Sequence, residues 1–520
     1  MTKLTTEHIV PYPFQMIPTL EGNVNGGLPA VLAMEFERNR SRTDRTLRIV
    51  STDKESKTFP DHRTEVIRVD LEMSRMPFMQ WFSHDWSILH ANAHTFVGHP
   101  KSVLEMMYSA GGAHAIGSLE RMIEHTEAFP TAQDKIEGFR MAFTNVLTKL
   151  AVPQQTPVTG FVERYVNWQD PHLFFVQTVP EVADRFHEAG FFQTGHLHTS
   201  IPPSPVLVKS TWGQKVLSGL CKLDRLFVHT AQAAHNLRQQ LEWTAPKGAN
   251  IPEVQLFNLG IDRPLIDSML AETNDDNWHE KVGFEKLDAQ QRTFLNEIVR
   301  TKGKLDMHRF LCIDRADPGK GLVIYLEAID TFLNNMTPAE RQKYRFFGCH
   351  DLINANVQPA NTIDVKEQYV KVVQQMYAAL QLKFPGIVHI CAGLPKYGVL
   401  FAADDCYPVT SASDDGLNLA CQEMAYINAV RSRSRMPIIA QGAGFAKEAI
   451  RRGFSRLVPF PEAGSAIGML TAMHEAVDAS RYHPRTANVM NALLVKECIM
   501  TRGDTVVVDK TYKGLSPDEY

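Results

Sequence analysis

Arg309-Phe310-Leu311-Cys312-Ile313-Asp314-Arg315-Ala316-Asp317-Pro318-Gly319-Lys320-Gly321 carries the reading of the fold. A short apolar run, too brief for a helix, enters a polar loop that holds Pro318 and Gly319. An amphipathic stretch of helical length, 321–335, follows directly. The pattern is strand, loop, helix. Short apolar runs recur at 344–348, 386–392, 406–410, 437–441 and 457–460, with helical stretches at 365–382 and 417–429 between them. Strands that alternate with helices predict a parallel sheet covered on both faces.

The middle of the chain repeats the alternation. Strands are expected at 164–168, 191–198 and 225–229, and helices at 176–188, 214–222 and 231–241. Earlier, 46–51 and 64–71 alternate as strands do, while 86–90 and 136–150 have helical spacing. Residues 244–252, with Pro246, Gly248 and Pro252, suggest a linker between two α/β halves. The expected division is a first domain over 1–250, a second over 251–485, and a tail over 486–520 packing back toward the first. Ligands of such sheets collect beyond the carboxyl ends of the strands, beside helix N-termini.

Composition narrows the function. The 520 residues include 54 Lys and Arg against 58 Asp and Glu, a formal charge of −4, with 44% hydrophobic residues. That apolar content excludes a disordered regulator, and the near-balanced charge argues against nucleic acid as the partner. No run of eighteen apolar residues spans a membrane, and the N-terminus lacks a signal-like apolar stretch. Seven dispersed cysteines, several inside apolar runs, read as small buried hydrophobes of a cytoplasmic protein.

Several loops carry residues suited to chemistry. Arg315 and Lys320 stand five positions apart before a helix, where two cations, the helix dipole and backbone amides make a diphosphate site. A solvated basic loop is the plain alternative. Ser411 to Leu419 holds Asp415, able to cap the following helix, Gly416 for close ligand approach, and Leu417, Asn418 and Leu419 at the helix start. Glu423 lies about two turns beyond Asp415. Asp170 and His172 follow an expected strand and can bind hydroxyls or manage a proton, unless they form an ordinary Asp-Pro turn. His196 and His198 share a face if their strand continues, but no further ligand stands at metal-binding spacing. Gly26 and Gly27 precede an expected helix and could wrap a phosphate or sugar.

The order of these motifs resembles the trehalose-6-phosphate synthase family. The resemblance runs from Gly26-Gly27-Leu28 through Trp86-Ser87-Ile88-Leu89-His90, Asp170-Pro171-His172-Leu173, His198, Leu259-Gly260-Ile261-Asp262 and the Arg315–Lys320 loop. It ends with Asp415 to Leu419, Glu423, and Gly442-Ala443-Gly444. It implies a GT-B fold, with two Rossmann-like domains whose parallel sheets face across a cleft, and a retaining transfer of a hexose, expected to be glucose. Arg315 and Lys320 would hold the donor diphosphate, Glu423 the ribose, and Asp415 with Gly416, Leu417, Asn418 and Leu419 the sugar and diphosphate. Gly26 and Gly27 would close over the donor, and His198 would contact the sugar near its reacting carbon. Trp86, Asp170 and His172 would shape the acceptor side, with Asp170 also counted among the catalytic residues.

The implied partners are a nucleotide sugar and a small polar acceptor, with no nucleic acid, membrane, metal or other cofactor; a homo-oligomer is left open. The chain departs from the family where an Arg usually follows the first strand and another lies in the second domain. Here those regions read Pro11-Tyr12-Pro13-Phe14-Gln15 and Asn361-Thr362-Ile363-Asp364. Without these cations a sugar phosphate loses charge-assisted bonds worth about 1.5–3 kcal/mol each. A polyol phosphate, as in glucosylglycerol-phosphate synthases, a cyclitol or a natural-product intermediate becomes an equal expectation for the acceptor. A pseudo-glycosyltransferase and a catalytically silent sugar-nucleotide-binding regulator are the alternatives. His198→Ala should lower turnover more than nucleotide affinity; loss of the folded state in a thermal melt would instead mark His198 as a packed core residue.

Overall fold

The structure, a computed structural model, describes residues 6–11, 45–51, 57–58, 64–68, 160–166, 180–188, 192–197, 208–209, 211–245, 250–257, 260–273, 277–304, 306–316, 320–350, 365–412, 417–456, 458–499 and 505–506. Its strands are β1 (Thr6–Pro11), β2 (Arg45–Ser51), β3 (Lys57–Thr58), β4 (Thr64–Arg68), β5 (Gly160–Val166), β6 (Phe192–Leu197) and β7 (Arg225–Val228). They continue with β8 (Glu253–Phe257), β9 (His308–Ile313), β10 (Tyr344–Cys349), β11 (Val388–Cys391), β12 (Tyr407–Thr410), β13 (Ile438–Ile439) and β14 (Thr505–Val506). The helices used below are α1 (Leu322–Asn334), α2 (Val365–Lys383), α3 (Lys396–Ala403), α4 (Leu419–Val430), α5 (Gly444–Arg451), α6 (Ala466–Tyr482) and α7 (Pro484–Cys498).

The chain divides into two units. The first is built on a sheet of order β14-β8-β7-β6-β5-β1-β2-β4-β3. All its pairings are parallel except β14 on β8 and β3 on β4. The second unit is built on a fully parallel sheet of order β11-β10-β9-β12-β13. Parallel strands need crossovers on the faces, so they are buried on both sides. β10 and β12 are buried along their whole length, and β9 at all but its last residue.

Two apolar layers enclose the second sheet. On one side α1 buries nine of its thirteen residues, among them Leu322, Tyr325, Ile329 and Phe332. It packs with α2 and α6 around Phe310, Phe346 and Tyr407, whose stacked rings lie 4.8–4.9 Å apart on three neighbouring strands. Across the sheet Leu311, Phe347 and Ile439 meet α3, α4, α5 and α7. The alternation of Phe310 and Leu311 between layers is the two-residue period of the strand.

Most expected elements occur within a few residues of their expected ends, and three readings are corrected. Residues 458–460 form no strand; there Phe460 and Pro461 offer backbone carbonyls to the side-chain and backbone N–H groups of Gln441. The stretch around Pro246–Pro252 is not an interdomain linker, because it leads into β8, which pairs with β7 inside the first sheet. The first unit accordingly extends to Leu259, past 250. The expected tail is split as well: α7 packs into the second unit through Ala487, Leu494 and Val495, whereas β14 joins β8. The expected helices at 86–90 and 136–150 lie outside the described residues. Six of the seven cysteines are buried, and all are free.

Two buried histidines couple this unit to pH. Burial pushes His308 down to about 4, with Arg435 adding repulsion and nearby Asp405 opposing it. Burial does the same to His350, against the opposing carbonyl of Asp314. Both are neutral when folded and take up protons near pH 6.5 when unfolded, so their contribution is full above about 6.5 and is lost as pH falls toward about 4. Urea unfolding of the second unit should show a loss of about 2 kcal/mol per histidine between pH 7 and 5. A profile unchanged by replacing both with Asn would contradict this.

Candidate functional site

The strand order of the second sheet places its reversal between β9 and β12: the chain moves from β9 outward to β10 and β11, then returns to β12 on the other side. At such a reversal the two following connections leave on opposite faces and open a crevice at the carboxyl edge. The residue after β9 is Asp314, and β12 ends in Thr410. They meet there.

Asp314 joins the parts of this crevice. Its carboxylate, with a side chain only 5% exposed, lies 3.6 Å from the Lys320 ammonium. It accepts from the Thr410 hydroxyl at 3.0 Å and from the Asn418 amide at 3.2 Å. Asn418 Nδ2 also donates to Thr410 Oγ1 at 2.9 Å. A buried carboxylate is tolerated when cations and donors surround it in this way. The same residues fix two helix starts. Lys320 immediately precedes Gly321, the residue that leads into α1, and its carbonyl accepts from Ser411 Oγ at 2.9 Å. Gly321 has φ +61°, and a Cβ there would stand 2.3 Å from the Ser411 carbonyl oxygen. Only glycine admits this approach.

Asn418 is the cap of α4. Its side-chain oxygen accepts from the Cys421 amide at 3.0 Å while its backbone holds a left-handed conformation, φ +54°. Asn tolerates that region better than most residues and suits a cap. Asn418, and not the expected Asp415, is thus the cap residue of α4; Asp415 itself lies outside the described residues. The helix also begins at Leu419 and not at Leu417. Leu417 is buried; its carbonyl accepts from Gln422 at 2.9 Å.

Behind Asp314 stands a second support that motif reading missed. His350, wholly buried after β10, lies 3.0 Å from the Asp314 carbonyl through Nδ1 and 2.7 Å from the Tyr377 hydroxyl through Nε2. A carbonyl can only accept, so Nδ1 carries the proton and the neutral ring accepts from Tyr377 at Nε2. Gly348 makes room for this pair: a Cβ there would lie 2.1 Å from the Tyr377 oxygen. The available signal was a glycine two positions before a histidine at a strand end.

Of the sequence-expected donor residues, the structure brings Lys320 and Asn418 together through Asp314. Arg315 follows at the exposed lip of the same loop, and Glu423 is half-buried on α4. Gly26, Gly27, Trp86, Asp170, His172, His198, Asp415 and Gly416 lie outside the described residues. A third glycine-containing loop, Gln441 to Gly444, leads from β13 into α5. Among the described residues no group of three or more His, Cys, Asp or Glu is placed to hold a metal ion, and no helix is long and apolar enough to cross a membrane. Chemically the crevice offers two helix N-termini beside Lys320. That combination favours an anion such as a diphosphate.

No family model matches the chain, and no curated protein matches it in sequence. Solved structures do match in fold. The Candida albicans trehalose-6-phosphate phosphatase N-terminal domain superposes with a TM-score of 0.63 at 12% identity, covering 96% of this chain and 94% of its own. A Burkholderia xenovorans α,α-trehalose-phosphate synthase (UDP-forming) in complex with glucose-6-phosphate gives 0.61 at 13%, covering 95% and 97%. An E. coli trehalose-6-phosphate structure bound with UDP-2-fluoro glucose gives 0.63 at 12%, covering 95% of each. The chain has the GT-B fold of these proteins.

Two variants test the crevice as an architectural unit. Asp314→Ala should cost about 3–5 kcal/mol in denaturant unfolding, because it leaves Lys320 without its buried counter-charge. Gly321→Ala should destabilise clearly more than Gly283→Ala. Both have φ near +65°, but a Cβ at Gly283 meets nothing within 4 Å. Equal losses would remove the argument from close approach.

Proposed function

We propose that this chain is a retaining glycosyltransferase that moves a hexose from a nucleotide sugar to a hydroxyl of a small sugar or polyol, with a phosphorylated acceptor included. The observation that carries the reading is the Asp314 lattice, which holds Lys320 and the α4 cap at the β9–β12 reversal of a GT-B chain. Fold alone does not carry an activity; the built anion site adds chemistry to it.

In this reading the donor diphosphate rests against Lys320 and the N-termini of α1 and α4, with Arg315 closing from the loop. Glu423 takes the ribose, and Asp415 with the amides from Gly416 to Leu419 takes the sugar and diphosphate. The acceptor oxygen forms a bond to the anomeric carbon on the face from which the phosphate leaves. The anomeric C–O bond breaks toward the diphosphate, and the acceptor proton passes to the departing phosphate oxygen. Charge grows on that oxygen, so the cations stabilise the transition state more than the bound donor. His198 from beyond β6 and Gly26 and Gly27 complete the donor side. Asp170, His172 and Trp86 form the acceptor side. The place of reaction is a reducing cytoplasm, and no metal takes part.

A second reading is a sugar-nucleotide binder without turnover. It draws on the Candida neighbour, a domain of a protein named for phosphatase activity that has the same fold. Substrate trials separate the two readings. Thermal melts with UDP-, GDP- and ADP-sugars should single out one donor by stabilisation at saturation. Nucleotide release with one acceptor class then identifies a transferase; binding without release from any acceptor favours the regulator. Arg315→Ala is the cleaner active-site variant, because Lys320→Ala also strips Asp314 of its counter-charge. It should lower turnover about 10²–10³-fold with an unchanged melt. An unchanged rate would remove the donor-site assignment.

A further inference from the structure

Two backbone carbonyls at the Asp314 crevice are held by buried side chains. The Lys320 carbonyl, just before Gly321 and α1, accepts from Ser411 Oγ at 2.9 Å. The Leu417 carbonyl, two residues before α4, accepts from Gln422 Nε2 at 2.9 Å. Both donors are withdrawn from solvent, Ser411 at 1% exposure and Gln422 at 0%. Ser411 directly follows β12 and holds the start of α1. Gln422 lies on α4 itself and reaches back five residues, the direction in which helical side chains lean.

The residue after each of these carbonyls is left-handed, Gly321 with φ +61° and Asn418 with φ +54°. The caps Thr230, Asp288, Thr337 and Ser465 are extended instead. A left-handed residue that leads into right-handed ones gathers successive N–H groups on one side, an arrangement suited to an anion. In a planar trans peptide the C=O and N–H point in opposite directions. A carbonyl fixed toward the protein therefore aims the next N–H the other way. Released from its donor, the same carbonyl can swing the negative end of its dipole toward a bound anion.

We infer that Ser411 and Gln422 are positioning residues of the donor site, which keep the Lys320 and Leu417 carbonyls away from the diphosphate of the nucleotide sugar. The inference rests on the transferase reading of this crevice. Each residue acts through one peptide plane and not by touching the donor. Gln422 does so at a cost, because its Oε1 finds no hydrogen-bond donor among the described residues. Asn491 of α7 is a contrasting case. It too is buried, donates to the Arg433 and Arg435 carbonyls at 3.0 and 3.1 Å, and has its oxygen unpartnered among the described residues. Those carbonyls precede β13, at the edge of the sheet away from the crevice.

Calorimetric titration of the full chain with UDP, GDP, ADP and inorganic pyrophosphate tests this, with thermal melts in parallel. The variants are Ser411→Ala, Gln422→Met and Asn491→Leu, each titrated well below the lowest melt so that folded protein is compared with folded protein. Gln422→Met keeps the side-chain length and removes both the bond to Leu417 and the unpartnered oxygen, so its melt should stay near that of wild type. The nucleotide that wild type binds best should bind at least about tenfold more weakly to Ser411→Ala and to Gln422→Met. Pyrophosphate should weaken by a similar factor. Asn491→Leu should lower the melt and keep wild-type affinity. Unchanged affinity in Ser411→Ala and Gln422→Met would overturn the inference and leave the transferase reading standing. An equal loss in Asn491→Leu, or weaker nucleotide with unchanged pyrophosphate, would overturn it as well. Wild type that binds none of the four ligands would remove the transferase reading and this inference with it.

Discussion

The second unit depends on one buried carboxylate. Asp314 stands where β9 ends, its side chain almost wholly withdrawn from solvent, and its charge is met largely by protein. Thr410 from β12, Asn418 from the α4 cap and Lys320 before α1 all turn toward it. Removing any one leaves the others imperfectly paired. The constraint therefore ties three chain segments that are distant in sequence into one arrangement.

Backbone geometry follows from that tie. The Ser411 carbonyl comes so close to Gly321 that a side chain is excluded, and Asn418 takes a left-handed conformation to present its amide to Asp314 and its oxygen to Cys421. His350 and Tyr377 hold the Asp314 carbonyl from behind, in space that Gly348 leaves open. An uncharged imidazole suits this role, since it donates to the carbonyl through one nitrogen and accepts from Tyr377 through the other without burying a charge. Strain and burial are concentrated where a ligand's charge would be met without large rearrangement.

The two edges of the sheet answer different demands. At the carboxyl edge the charges cross-link strands and helices around one acid. At the entering edge Arg309, Arg435, Asp405 and Tyr407 form a closed network, with Arg309 fully buried against Asp405 at 2.7 Å.

Much of this was legible in the chain. The apolar runs at 309–313, 344–348 and 406–410, each too short for a helix and followed by helical spacing, announced a parallel sheet, because strands buried on both faces have no polar side to show. The loop from Asp314 to Gly321 declared itself by cations, Pro and Gly before a helix. The sequence did not distinguish Asp314 from its neighbours, name Asn418 over Asp415 as the cap, or reveal His350 and Tyr377. Nor did it show that β8 lies beyond the Pro-rich stretch within the first sheet. Those facts rest on which strands become neighbours. Local chemistry determines strand, helix and turn through periodicity and backbone preference; only tertiary structure, by setting β12 beside β9, decides which distant side chains share a buried charge.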